Sequence, residues 1–260
     1  MTHTQIPLRW LFIPVTLSLP AIAEESDVQD MSDPLAIYTQ VGAGVTNKGL
    51  NLKIGKTYST GVEDSAGMNF IELKGIAGES LGWHENQEER NDSIDSLRFR
   101  NFTANLKNGR GAQIDIQYDL NSEFGLASYS VIQALPKFGP IIFFPLLGAG
   151  AAFGNNVVGD DGHQVSGYSV PGTFAVAGTY TKVAVTDKVW INYNPMWMKT
   201  LSGSETYKDH GFENHESTFT HEVAVSYQVS PRFNVRYFSN WSEHTRFSDG
   251  DHRIEFNYQL

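Results

Sequence analysis

The stretch that decides the fold is DHRIEFNYQL (251–260), in which apolar and polar side chains alternate to the last residue. The apolar series is Ile254, Phe256, Tyr258 and Leu260, and the polar series is Arg253, Glu255, Asn257 and Gln259. Successive side chains of a β-strand point to opposite faces. The pattern therefore predicts a strand with one apolar face and one polar face.

Composition narrows the class of protein. The chain has 260 residues, 24 glycines, 16 phenylalanines, 11 tyrosines and no cysteine, and its formal net charge is −10. A net negative charge argues against nucleic acid as a partner. The absence of cysteine excludes a secreted module held together by disulfides. The length allows one large β domain or two ordinary domains.

The N-terminus has the three parts of a secretory signal peptide. Residues 1–9 end in a single arginine, residues 10–20 are an apolar run too short to span a bilayer, and residues 21–23 read Ala-Ile-Ala. Small residues at these positions are typical of a cleavage site. We predict a signal peptide over residues 1–23 and a polar periplasmic leader over residues 24–34.

From residue 35 onward the sequence is a series of β-like segments without helical periodicity. Twelve strands are predicted, at 35–45, 49–58, 68–78, 95–107, 111–120, 125–135, 141–153, 173–185, 188–199, 219–229, 232–241 and 252–260. Most are about ten residues long. A tilted membrane-spanning strand needs about 9–11 residues, whereas strands of globular proteins average about 5–6.

From the fourth predicted strand on, the connections alternate in length, except that the link between strands five and six is short; the first two links, 46–48 and 59–67, do not fit the alternation. Short links are expected at 108–110, 136–140, 186–187 and 230–231, and long polar links at 78–94, 154–172, 200–218 and 242–251. Membrane barrels have tight turns at one rim and long loops at the other. The alternative, an exported soluble barrel, gives no reason for this alternation. We therefore predict an all-β, transmembrane, antiparallel up-and-down β-barrel over residues 35–260, with about 12 strands (10–14).

The signal peptide, the strand pattern and the terminal alternation together resemble Gram-negative outer-membrane β-barrel proteins, the porin-like and small outer-membrane class. In that class the last strand is read by the barrel-assembly machinery, and the final residue is usually phenylalanine. The resemblance implies that Ile254, Phe256, Tyr258 and Leu260 face lipid and form the assembly signal. It implies location in the outer membrane, in contact with lipid and lipopolysaccharide.

The polar faces of the predicted strands supply the lumen. The charged candidates for solute contact are Lys53, Glu72, Lys74, Asp115, Asp119, Glu222, Arg236, Arg253 and Glu255. Arg98 and Arg100 could join them, but strand four changes phase around Asn101, which suggests a bulge. Mixed charge is compatible with a water-filled path or with ion pairs that close the lumen. Twelve strands lie between the filled barrel of eight and the open channel of sixteen.

Two features concern apolar residues. The segment at 141–153 is apolar on both faces, so we expect the leader or an inward-folded loop to pack against its inner face. Aromatic residues near strand ends are expected to form interface girdles; these are Tyr118, Tyr129, Tyr180, Trp197, Tyr227, Phe233, Trp241 and Tyr258.

The function favoured by these patterns is a narrow porin-like channel for passive diffusion of small solutes. The alternative is a closed structural or surface-interaction barrel, adhesin-like, with acidic extracellular loops. A lipid- or peptide-hydrolysing enzyme is the less favoured third reading. Its candidate residues are the histidines and acids of the loops: His84, His163 with Ser166, Asp209, His210, His215, Asp249, Asp251 and His252. None has a spacing specific to catalysis or metal binding, so neither a cofactor nor a metal is predicted.

Overall fold

The computed structural model describes residues 28–83 and 93–260 of the chain. The predicted signal peptide, residues 24–27 of the leader, and residues 84–92 with the candidate His84 and the whole acidic stretch 85–92 lie outside these ranges. The strands are β1 (Gln40–Thr46), β2 (Gly49–Ser59), β3 (Ser65–Ile76), β4 (Ser96–Asn105), β5 (Arg110–Asp119), β6 (Phe124–Gln133), β7 (Ile141–Asn155), β8 (Tyr168–Ala184), β9 (Val189–Tyr193), β10 (Met196–Gly203), β11 (Ser217–Ser230), β12 (Phe233–Ser242) and β13 (Asp251–Gln259). Short helices are α1 (Gly78–Leu81) and α2 (Glu205–His210), and a 3-10 turn spans Phe247–Asp249.

The strands form one closed antiparallel barrel. Each strand pairs with its neighbour in sequence, and β13 pairs with β1. Both β9 and β10 pair with β8 and with β11. They are therefore two halves of a single barrel strand, interrupted at Asn194 and Pro195, where proline cannot donate to the ladder. The thirteen segments make twelve barrel strands, as predicted.

The terminal strand has the predicted orientation. Tyr258 lies opposite Val41 and Ile254 lies opposite Val45 in the closing ladder. The apolar series of β13 is 44–46% exposed on the outer surface, whereas Glu255 is 1% exposed. An outer surface of apolar side chains and a buried polar inner face is the arrangement of a barrel surrounded by lipid.

The first predicted strand starts too early. We predicted a strand from residue 35, but β1 begins at Gln40, and residues 35–38 line the interior of the barrel. Leu35 packs against the apolar cluster inside the barrel. Because this side chain is buried inside the lumen, residues 35–38 do not pair with a neighbouring strand, although their composition is that of a strand.

The connections follow the predicted alternation. One rim, the short-turn rim, carries residues 60–64, 106–109, 134–140, 185–188 and 231–232. The other rim, the long-loop rim, carries 77–95, 156–167, 204–216 and 243–250, together with the short links 47–48 and 120–123. The start of β1 and the end of β13 lie at the short-turn rim. By the usual rule for outer-membrane barrels, this rim faces the periplasm.

The two-sided apolar strand is explained by an inward-folded loop, as predicted. Phe144 and Leu146 of β7 point inward and pack with Phe174 of β8 and with Phe212, which follows α2 in the long loop. The rings of Phe174 and Phe212 meet edge to face at 5.6 Å. This half of the lumen is therefore filled by apolar packing.

One predicted girdle residue is wrong. Tyr180 shares the inner face of β8 with Phe174 and Val176, and its hydroxyl donates to Gln113 Oε1 at 2.7 Å inside the barrel. The alternation of β8 runs through small residues on both faces, which hides its phase in the sequence. No helix in the described part of the chain has the length and apolar character needed to cross a membrane.

Candidate functional site

The inner face of β1 carries no side chain at two successive inward positions, Gly42 and Gly44. A Cβ on Gly42 would lie 2.7 Å from Asn257 Oδ1 and 3.1 Å from Lys53 Cε. The missing side chains let groups on β2 and β13 meet across β1. Lys53 Nζ of β2 donates to Glu255 Oε1 of β13 at 2.6 Å. The two glycines thus allow charged side chains of β2 and β13 to meet across β1.

Glu255 is the centre of the first group of charges. Its second oxygen accepts from Asn51 Nδ2 at 3.2 Å. Arg253 Nε lies 3.2 Å from the same oxygen, without the geometry of a hydrogen bond. Two cations therefore share one buried carboxylate.

A second group of charges spans β3, β4 and β5. Arg100 donates to Glu72 Oε1 at 2.5 Å, and Lys74 Nζ lies 3.7 Å from the other oxygen of Glu72. Arg98 donates from Nε to Asp115 Oδ1 at 2.8 Å and from Nη2 to Asp115 Oδ2 at 2.5 Å. The Nε of Arg100 is buried and has no acceptor among the described residues. Here three cations are matched by two carboxylates.

Two further charges lack an ionic partner in the described part of the chain. Arg236 of β12 donates from Nε to Ser226 Oγ at 2.9 Å and from Nη2 to Asn192 Oδ1 at 2.8 Å. Glu222 of β11 accepts from Asn194 Nδ2 at 2.8 Å. Neutral amides and a hydroxyl hold both groups in place and leave their charges uncompensated by a direct ion pair.

These groups surround a cavity of about 160 Å³ inside the barrel. Its cationic lining is Lys53, Lys74, Arg98, Arg100, Arg236 and Arg253, and its anionic lining is Asp33, Glu72, Glu222 and Glu255. Residues 31–38, which join the end of the leader to β1, form part of the wall. The six cations outnumber the four carboxylates. The lumen is therefore divided into a charged side with free space and an apolar side that is packed.

Comparison with solved structures shows which known folds this barrel resembles. The NanC porin superposes with a TM-score of 0.55 at 9% sequence identity, covering 85% of this chain and 100% of that one. The KdgM porin, solved in complex with disordered oligogalacturonate, gives 0.46 at 7% identity over 86% and 99% of the two chains. The outer-membrane channel DcaP of Acinetobacter baumannii gives 0.37 at 9% identity over 90% and 68%. No protein-family model and no curated protein matches the sequence.

The chain has the fold of an outer-membrane porin. At 9% identity the likeness to NanC shows the fold and nothing of the solute.

The porin-like barrel brings most of the predicted lumen residues together. The cavity is lined by Lys53, Glu72, Lys74, Glu222, Arg236, Arg253 and Glu255. Asp115 lies behind them and is bound to Arg98. Asp119 lies at the long-loop rim, where it accepts from the backbone N–H groups of Asn121 and Ser122 and shapes the turn after β5. Its position at the strand end removes it from the cavity.

Sequence reasoning left Arg98 and Arg100 unassigned, and the structure places both in the wall. The register of β4 with its neighbours is regular, so the suspected bulge near Asn101 is absent from β4. The change of phase arises because Phe102 faces inward, beside the guanidinium of Arg100 at 5.6 Å, while Asn101 faces outward and donates to Tyr58 Oη. A paired Arg-x-Arg at inward spacing was the signal available in the sequence.

The leader enters the barrel at the short-turn rim and is fixed there by specific contacts. Asp30 Oδ2 accepts from Lys182 Nζ at 2.9 Å, and Met31 is 6% exposed, with its sulfur 3.3 Å from Gln228 Nε2. Partial burial raises the pKa of Asp30, but hydrogen bonds from Ser32 and Lys182 outweigh it, so the pKa lies below its usual 3.8. The leader therefore narrows the lumen at this end.

Proposed function

We propose that the protein is a narrow channel for passive diffusion of small solutes across the outer membrane. The observation that carries this proposal is the cavity of about 160 Å³ bounded by ten charged side chains inside a closed barrel. Charged groups are costly to bury unless they are paired or hydrated. The incomplete pairing at Arg236 and Glu222 therefore supports a lumen that contains water.

The proposed path runs along the charged side of the lumen. The opposite side is filled by Phe144, Phe174 and Phe212, which are nearly fully buried. The leader narrows the short-turn rim, and the loop after α2 reaches inward from the long-loop rim. Both restrictions favour small solutes over polymers.

The decisive experiment is single-channel conductance in planar bilayers, with the chain purified from outer membranes. Heat-dependent gel mobility of the same sample verifies that the barrel is folded. Reproducible current steps, with ion selectivity altered by Glu222→Gln, are the expected result. A folded barrel that carries no current would refute the channel.

A closed barrel is the second candidate, because the leader and Phe212 both occupy the lumen. In that case the long-loop rim would be the functional surface, with lipopolysaccharide as the expected neighbour. The silent result of the same experiment would favour this candidate.

The route to the membrane is part of the proposal. A signal peptide over residues 1–23 would direct export, and the outward series on β13 would be read by the barrel-assembly machinery. The exposed outer faces of Ile254, Phe256 and Tyr258 support contact with lipid and such reading. Replacing Leu260 with phenylalanine should leave assembly efficiency equal or improved, measured as folded protein in the outer membrane.

The loop histidines that could serve a hydrolase have other contacts. His252 Nδ1 is paired with Tyr237 Oη at 2.8 Å, His215 stacks on His244 at 3.8 Å, and His210 Nδ1 lies 3.3 Å from Asn214 O. In the described ranges, none of these three rings hydrogen-bonds to a serine hydroxyl. This geometry gives no support to hydrolysis, and the proposal remains a channel.

A further inference from the structure

Arg236 has unused donor capacity that faces the cavity. A guanidinium carries five N–H groups. Two of them donate to Ser226 and Asn192. The remaining three have no acceptor among the described residues, and the side chain lines the cavity. An oxyanion in the cavity would supply the missing acceptors.

A second guanidinium shares an aromatic neighbour with the first. Arg236 and Arg253 both approach the ring of Phe238, with their central carbons 4.6 and 4.1 Å from its centroid. The only ion pair that Arg253 makes in the described part of the chain is with Glu255, which also binds Lys53. Counting Glu222 as well, three cations here face two carboxylates. The local balance is positive even though the whole chain is acidic.

Apolar side chains that are largely buried also form part of the wall of the same cavity. Phe70, Phe102, Phe238 and Met68 point inward from the charged side of the wall and contribute to its lining. An apolar solute gains free energy by leaving water for these side chains, and a hydroxylated solute of the same size gains less. The cavity thus combines charged groups that can orient an anion with apolar side chains that can contact its body.

We propose that Arg236 and Arg253 bind the carboxylate of a small organic acid whose apolar body lies against Phe70 and Phe238. The inference deepens the proposed function and rests on it, because the acid is the solute that enters the lumen. Guanidinium groups bind carboxylates through paired N–H donors. The apolar lining selects a hydrocarbon or aromatic body over a sugar.

The test uses the full chain purified from outer membranes in detergent micelles. Three probes are titrated by calorimetry: benzoate, gluconate, which has the charge without the apolar body, and benzyl alcohol, which has the ring without the charge. We expect saturable binding of benzoate and at least tenfold weaker binding of the other two. Equal binding of gluconate and benzoate would overturn the apolar half of the inference, and an absence of saturable benzoate binding would overturn all of it.

Variants locate the site. Arg236→Gln should weaken benzoate binding at least tenfold, whereas Arg110→Gln, at an exposed position at the short-turn rim, should leave it unchanged. Arg236→Lys keeps the charge, and we expect intermediate affinity because the paired donors are lost. Arg236→Lys also keeps the site testable if Arg236→Gln does not fold. Unchanged affinity in a folded Arg236 variant, or equal loss in the Arg110 variant, would overturn the site.

Conductance of the same samples separates this inference from the channel. A conducting barrel without benzoate binding would overturn the organic-acid site and leave the channel standing. Benzoate binding that depends on Arg236, in a folded barrel that carries no current, would uphold the site and overturn the channel.

Discussion

Replacing Glu255 with glutamine tests whether the charged wall stabilises the barrel. Glu255 is 1% exposed, and its two oxygens receive Lys53 Nζ at 2.6 Å and Asn51 Nδ2 at 3.2 Å. Glutamine has nearly the same shape and can still accept one hydrogen bond. The substitution therefore removes the charge with little change in volume and leaves Lys53 and Arg253 without their carboxylate.

The magnitude follows from burial. Removing one partner of a buried ion pair typically costs about 3–5 kcal/mol, because the other charge stays buried and unpaired. The cavity beside Lys53 and Arg253 admits water, so the lower end of that range applies. We expect the free energy of unfolding to fall by about 3 kcal/mol.

The assay is equilibrium unfolding by guanidinium in phospholipid vesicles, followed by tryptophan fluorescence. The matched control is Glu216→Gln, which removes an ion pair with Lys199 of similar length, 3.0 Å, at the long-loop rim. Its side chains are 39% and 63% exposed, so the expected loss is about 0–1 kcal/mol. The double variant Lys53→Met/Glu255→Gln should be less destabilised than the sum of the single changes.

The reasoning would be refuted if Glu255→Gln and Glu216→Gln cost the same. It would also be refuted if the two changes in the double variant were simply additive. Either result would mean that the lumen is hydrated well enough for each charge to stand alone.

Three other predictions concern closure, the glycine gap and the leader. Ile254→Arg puts a charge on the lipid-facing surface of β13 and should cost about 2–4 kcal/mol if that position lies near the bilayer midplane. Gln117→Arg, at an exposed position on the inner face of β5, is the control, and an equal or smaller cost for Ile254→Arg in vesicle unfolding would contradict the orientation. Gly42→Val should push Lys53 away from Glu255 and lower the free energy of unfolding in the same assay. The control is Gly139→Val, in a turn with no atom within 4 Å of a new Cβ, where only local backbone strain is expected. Equal losses of stability would mean that the space across β1 is unimportant. Because the pKa of Asp30 is lowered in the folded protein, its contact with Lys182 is present above pH 3.8 and is lost as the pH falls through the lower folded pKa. Conductance should therefore rise on acidification below that pH, and Asp30→Asn should show the raised conductance already at pH 7. If the conductance of the Asp30→Asn barrel still rises with acid, the effect belongs to other carboxylates.

The alternation of β13 and the lengths of the loops were enough to predict the barrel, its strand number and the face that meets lipid. These properties are local, because a strand with period two in a bilayer has only one orientation that keeps charges out of lipid. Seven of the nine predicted lumen residues line the cavity for the same reason.

The contents of the lumen depended on tertiary structure. The sequence of residues 35–38 is strand-like, yet the segment lies inside the barrel because Leu35 packs against apolar side chains there. Tyr180, Phe102 and Phe212 also face inward, where the packing of distant strands and of the loop after α2 creates apolar surface within a polar lumen.

The two-residue alternation and the lengths of the strands and loops therefore determined the barrel wall. Contacts between residues distant in sequence decided what lies inside it. Asp115, bound to Arg98, and Asp119, held in a turn, have the same residue type and parity on one strand, yet only one belongs to the charged side of the lumen. Which charges pair, and which remain free as Arg236 does, depends on distances across several strands. A sequence pattern read one strand at a time contains no such distances.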